Sequence, residues 1–214
     1  MKRVYKAAGL AAPDFVEIAA NDPQGAAKFA DSIQASKDAT RFGASVYVYP
    51  AADYQNMRLF ITKDGASGFA LKPDGDIVSV FSSGGAGHSV IDLAVQAGGR
   101  KLDAFETILP RFYGPHGFRA ASRLAWDDSQ APEGWSKQVF REFNGGEPDV
   151  VFMVYDPKYS GWYSGKDGKK ARDYGNALNI QKRAMPPSPP REGKRKAKAN
   201  VDPSTARAIG EAMR

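Results

Sequence analysis

The chain has no cysteine and only two histidines among its 214 residues. That removes disulfides, thiolate nucleophiles, iron–sulfur clusters and thiolate zinc sites together, and leaves too few imidazoles for a dedicated transition-metal centre. No metal site is expected. No stretch approaches the ~18 consecutive apolar residues of a membrane span, and Met1-Lys2-Arg3-Val4-Tyr5-Lys6 leads into no apolar signal core. The expectation is a soluble, unexported, cytoplasmic protein without a membrane partner. An excess of one charge sign is also missing from most of the chain. The formal net charge is +6, yet nine basic against three acidic residues from Lys182 onward account for all of it, and the 21 basic and 21 acidic residues of 1–181 cancel.

What is present suits one domain and an appendage: apolar residues make up 42% and aromatics 11%, enough for a single real core in a chain of this length. Asp22-Pro23 reads as an N-cap followed by proline at the first helical position, and Ala26, Phe29, Ala30 and Ile33 then recur at helical spacing. A helix over about 23–40 is predicted, ending at Gly43, after a weak N-terminal segment. Four β-like runs follow, at Ser45 to Tyr49, Arg58 to Thr62, Gly68 to Leu71 and Asp76 to Phe81. Asp64-Gly65 and Asp74-Gly75 separate the later ones as hairpin turns. An antiparallel meander is the expectation.

The pattern then changes. Ser82-Ser83-Gly84-Gly85-Ala86-Gly87-His88-Ser89 precedes apolar residues in helical grouping, closed by Gly98-Gly99. Lys101 to Glu106 reads as a short strand, Ile108 to Tyr113 as a helix, Phe118 to Trp126 as a strand, and Val150 to Tyr155 as a fully buried strand. These elements place a domain at 1–157. Lys158 to Gly175 suits a long surface loop within an extension over 158–185. A tail over 186–214 begins with the stiff Pro186-Pro187-Ser188-Pro189-Pro190, carries a basic run, and can end in a short helix capped at Asp202-Pro203.

A strand that enters a glycine-rich turn and then a helix is a means of holding pyrophosphate, because bare amides at the helix start face the anion and glycine lets the backbone approach. Phe81, Ser82, Gly84, Gly85, Ala86, Gly87, His88 and Ser89 are the candidate binding residues. The turn lacks the Lys-Ser/Thr pair of a P-loop and the spacing of a dinucleotide fingerprint, so neither ATP nor NAD is expected. Downstream, Leu109-Pro110-Arg111-Phe112-Tyr113-Gly114-Pro115-His116-Gly117-Phe118 resembles the late helix-to-strand passage of the GNAT superfamily of acetyl-CoA-dependent N-acyltransferases. The order of elements is similar to that family over about 23–155, and such a reduced chain looks like the GNAT-like proteins of phage genomes.

The resemblance implies an α/β (α+β) fold with a mixed, mostly antiparallel sheet flanked by helices. It implies acetyl-CoA as co-substrate and an amine as acceptor, and a phage-encoded protein of this kind is expected in the bacterial host cell or in the virion. In that family a backbone amide of the strand before the glycine turn polarises the thioester, which here points to Asp76–Phe81. The tyrosine of the aromatic pair, Tyr113, is the implied acid for the departing thiolate. Asp76 and Ser79 on that strand, and Asp103 and Glu106 on the next, are the candidates for taking up the ammonium proton. The family chooses its acceptor through loops such as 50–57 and 127–147. Ser82 stands where the family has Gln or Arg, which suits a rival reading: a non-catalytic, GNAT-like structural or interaction module, for example in a phage particle.

Other letters invite chemistry. A hydrolase triad can be drawn from His88, Ser89 and Asp92, but a single helix turn cannot supply its geometry. His88 is better placed beside a phosphate, and His116, between Pro115 and Gly117, reads as a turn residue. The basic run over 191–198 suits nucleic acid, another polyanion or a protein partner, and no aromatic interleaves it for base stacking.

Overall fold

The structure, a computed structural model, describes residue 9 and residues 11–187. The basic run and the terminal helix expected at Asp202-Pro203 lie outside the described residues. The fold is mixed α/β. In chain order its elements are β1 (Phe15–Ile18), α1 (Pro23–Asp38), α2 (Ala51–Tyr54), β2 (Arg58–Thr62), β3 (Gly68–Leu71), β4 (Ile77–Phe81) and α3 (Gly87–Gln96). There follow β5 (Lys101–Phe105), α4 (Leu109–Tyr113), β6 (Phe118–Leu124), β7 (Val150–Tyr155), β8 (Lys169–Ala171) and α5 (Tyr174–Ala184).

The strands form two sheets. The first runs β1-β2-β3-β4 and is antiparallel throughout; the second runs β5-β7-β6-β8 and is antiparallel except for the parallel β6–β8 pair. A parallel bridge between Asp76 and Lys101 joins the two at the starts of β4 and β5.

Helix α1 starts as its sequence dictates: Pro23 occupies the first turn and the Asp22 carboxylate accepts a hydrogen bond from the Gly25 amide at 3.0 Å, a cap that stabilises by about 1 kcal/mol. Its buried Ala26, Phe29 and Ile33 pack with Leu59, Ile61, Ala70 and Phe81 on one face of the first sheet. On the other face Phe60, Phe69 and Leu71 meet Val90 and Ile91 of α3, in a core that continues into Leu102, Phe118 and Met153. β2 is therefore covered on both faces, which is why its apolar residues run without alternation. The same logic makes β7 the buried centre of the second sheet, with Val151 to Val154 inaccessible between β5 and β6.

Two local expectations are corrected. Ser45 to Tyr49 forms no strand: a short 3-10 turn over Gly43–Ser45 leads into extended chain that pairs with no sheet, because β1 already occupies the outer edge of β2. The weak N-terminal segment supplies that strand. The segment between Tyr49 and Met57 keeps a single helical turn, α2. The extension over 158–185 is not all loop, since it contains β8 and α5. Two buried contacts hold α5: the Gln181 amide donates to the carbonyls of Leu102 and Met153 at 2.9 and 3.0 Å, and the Ser122 hydroxyl donates to the Ala177 carbonyl at 2.9 Å.

Candidate active site

At their starts β4 and β5 are tied together. The Arg100 amide donates to the Gly75 carbonyl at 2.8 Å and Lys101 pairs with Asp74 at 2.7 Å, while within the β3–β4 turn Lys72 pairs with Asp76 at 3.3 Å. Beyond the Asp76–Lys101 bridge no further β4–β5 pairing occurs among the described residues. The strands separate into a cleft of about 1060 Å³, with Ile77–Val80 on one wall and Leu102–Phe105 on the other.

Within this opening β4 is irregular. Ala70 pairs with Val78 and Gly68 with Phe81, so Ser79 and Val80 together oppose Phe69. This is a β-bulge, with Ser79 held at φ +52°. A bulge breaks the ladder and re-aims its residues. The Ser79 hydroxyl is engaged with the Tyr54 phenol at 2.8 Å, so what Ser79 brings to the cleft is backbone.

The carboxylates sort by position. Asp76 sits at the apex in its ion pair with Lys72 and does not line the cleft; burial raises its pKa, against the pull of Lys101 and Lys72. Glu106, past the end of β5, accepts a hydrogen bond from the Tyr163 phenol at 2.8 Å and faces Arg123 at 3.9 Å, away from the opening. Asp103 is the carboxylate of β5 that lines the cleft. Its side chain is open to the water of the cleft but walled in by protein. That desolvation, with Asp76 adding to it, raises its pKa to about 6. The Tyr174 phenol lies 3.5 Å from its Oδ2.

Tyr113 borders the same space from α4. It is 5% exposed and makes no side-chain hydrogen bond among the described residues. Burial, and secondarily the Asp103 charge, push its pKa upward, so the phenol stays protonated across the physiological range. Of the two loops that the resemblance implies choose the acceptor, 127–147 contributes Asp127, Asp128, Gln130 and Glu147 to the cleft lining, and 50–57 contributes none. Tyr47, Tyr49, Trp126 and Tyr174 line it as well. None of these four carries a sequence signal for the site, since they come from irregular chain and the first residue of a helix.

At the far end of β4 the glycine turn has the expected form. Gly84 and Gly85 are exposed with φ of +59° and +76°, a backbone that residues with a side chain adopt at a cost. Nothing lies within 4 Å of where a Cβ would sit at either, so the turn is open on that side. The Ser83 amide is anchored to the Ser67 hydroxyl at 3.1 Å, Phe81 and Ala86 are buried, and α3 begins at Gly87. A Cβ on Gly87 would come within 3.1 Å of the Phe112 ring.

His88 and His116 are both buried and joined: His88 Nδ1 lies 2.8 Å from His116 Nε2, and His116 Nδ1 lies 2.6 Å from Asp92 Oδ1. The carboxylate orders this chain, accepting from His116 Nδ1–H and so leaving His116 Nε2 to accept from His88 Nδ1–H. Burial and the neighbouring His116 push the His88 pKa down to about 4. Ser89 plays no part, since its hydroxyl donates to the Ala11 carbonyl at 2.6 Å. The relay ties the first turn of α3 to the turn after α4, so His116 is a clamp as well as a turn residue. Among the described residues no cluster of side chains is placed to hold a metal ion, and no helix is long and apolar enough to cross a membrane.

Comparison with protein-family models, with curated proteins and with solved structures returns no match for this chain.

Proposed function

We propose that the chain binds acetyl-CoA between β4 and β5 and transfers the acetyl group to an amine. The observation that carries the reading is the divergence of these two parallel strands beyond Asp76–Lys101. Separated strands turn unpaired backbone groups toward the gap. An extended arm bearing amides, such as the pantetheine of coenzyme A, can satisfy them as an added strand does. The glycine turn at the end of β4 then meets the pyrophosphate with the amides of Gly84 and Gly85.

The residues of the cleft divide the chemistry. Asp103, ionised above about pH 6, takes the proton from the incoming ammonium and frees the amine to attack the thioester carbonyl. The backbone of the Ser79 bulge offers an amide to the oxygen that gains charge. Tyr113 hands its proton to the departing sulfur. The resemblance of the Phe112-Tyr113 segment to the GNAT superfamily supports the same assignment.

A thermal-shift comparison tests the binding step: acetyl-CoA is expected to raise the melting temperature where ATP and NAD do not. Tyr113→Phe, which keeps the ring, should keep that shift and lose roughly 10²- to 10⁴-fold in turnover. Absence of any acetyl-CoA shift would refute the reading. A parent protein that binds acetyl-CoA but acetylates nothing in a broad amine and peptide screen would instead be a non-catalytic module.

A further inference from the structure

The described part of the chain is close to neutral overall, yet its cleft is not. Five carboxylates line it, those of Asp103, Asp127, Asp128, Glu147 and Asp173, against one cation, Arg172. Lys137 bridges Asp128 and Glu147 at 2.6 Å each, and Arg172 meets Asp173 at 3.1 Å. Asp103 and Asp127 have no cationic side chain within ion-pair distance among the described residues. The buried Tyr113 phenol lines the same cleft without a hydrogen-bond partner among those residues, and Tyr49, Trp126 and Tyr174 add aromatic surface of the kind that attracts ammonium groups.

The matching charge is on the same chain. Residues 191–198 carry Arg191, Lys194, Arg195, Lys196 and Lys198 against Glu192 alone. Their attachment point is near. Helix α5 begins at the cleft with Tyr174 and ends at Ala184, about 15 Å away at the helical rise, where the Arg119 guanidinium holds its last carbonyl at 2.7 Å. The ten residues from Ala184 to Lys194 span at most about 33 Å. The reach exceeds the gap roughly twofold.

We infer that the cleft takes the chain's own tail, with Lys194, Lys196 and Lys198 entering between the carboxylates of its rim in the same molecule. The inference rests on the acyl-transfer reading for its chemical consequence, since it names a lysine ammonium as the acceptor. The lysine C–N bond to the acetyl carbon forms as the thioester C–S bond breaks. Asp103 takes the proton that the ammonium gives up and passes it to water; the sulfur leaves as the thiol with a proton from Tyr113, and the second proton that the nitrogen loses as the amide forms restores the Tyr113 phenol. The sum is acetyl-lysine, coenzyme A and one proton released to water.

Zero-length carbodiimide crosslinking of the full chain, read by mass spectrometry on a mixture of light and heavy isotope-labelled copies, tests the docking without acetyl-CoA. Crosslinks from Lys194, Lys196 or Lys198 to Asp103, Asp127 or Asp173 are expected within single copies, unchanged on dilution and reduced at least tenfold in about 1 M salt, where charge attraction is screened. Light–heavy crosslinks would assign the cleft to a second copy's tail and overturn the inference. So would tail crosslinks that fall elsewhere or are absent. A second arm adds acetyl-CoA and maps acetyl-lysine. Rim crosslinks without acetylation of any amine would retain the docking and remove the transfer chemistry. Acetylation of free amines without rim crosslinks would retain the transfer and remove the docking.

Discussion

The two sheets contribute to the cleft in different currencies. The first is assembled from neighbours in sequence, β1 excepted, and offers mainly backbone: the Ser79 bulge in β4 and the amides of Gly84 and Gly85 beyond it. The second is assembled out of order, with β7 inserted between β5 and β6, and offers side chains: Asp103 from β5, Tyr113 from the helix after it, and Tyr174 from the helix after β8. Backbone groups bind whatever presents the right shape and charge and change little during a reaction, whereas titratable side chains can move protons. Under the proposed acyl transfer, the contrast gives holding of the coenzyme to the first sheet and proton transfer to the second.

That division breaks if changes in the two halves have the same effect. The largest expected effect is in the second sheet: Asp103→Asn should lower turnover roughly 10²-fold or more while leaving acetyl-CoA affinity within a few-fold. The parent's rate should rise with pH through about 6, and the variant should lose that limb. Stability moves the other way. The folded-state pKa lies above the ordinary 3.8, so the contribution of Asp103 is full below about pH 4 and is lost as pH rises through 6. The variant, neutral throughout, should therefore gain in melting temperature relative to the parent between pH 4 and 7. An unchanged rate in Asp103→Asn would move the base elsewhere.

A smaller effect belongs to the first sheet. Gly85→Val forces a β-branched residue into φ +76°, which costs about 1–3 kcal/mol where the turn keeps its shape. Acetyl-CoA affinity should fall at least tenfold while turnover at saturation stays near the parent's, with little loss of fold because the turn is exposed. Equal affinity in calorimetric titration would remove the glycine turn from the site. Smallest is Gln181→Leu, which strips one donor from the Leu102 and Met153 carbonyls and should destabilise the chain by about 1 kcal/mol in denaturant melts. Acetyl-CoA affinity should be untouched, because the lesion is confined to the second sheet and α5.

Acid offers an independent probe of how the halves are joined. His88, depressed from 6.5 to about 4, favours the folded state fully above pH 6.5 and loses that contribution as pH falls through 4. His88→Gln should flatten the acid limb of the melting curve, whereas an unchanged limb would place acid sensitivity outside the Asp92–His116–His88 relay.

The sequence by itself determined the elements whose cause is local. Asp22-Pro23 started α1, the Asp-Gly pairs closed the hairpins between β2, β3 and β4, and the glycine turn opened α3, because caps, turns and helical spacing act over a few residues. It also separated a neutral domain from a basic tail. Tertiary structure alone decided the rest. Sheet order placed Asp103 in the cleft and set Asp76 at an apex and Glu106 beside Tyr163, since none of the three carboxylates announces in sequence which way its surroundings open. It turned part of an apparent surface loop into β8 and α5, whose buried contacts are made to residues far away in the chain. It also joined His88 to His116 across 28 residues, because packing α3 against the turn after α4 is a property of the core that no neighbouring residue encodes.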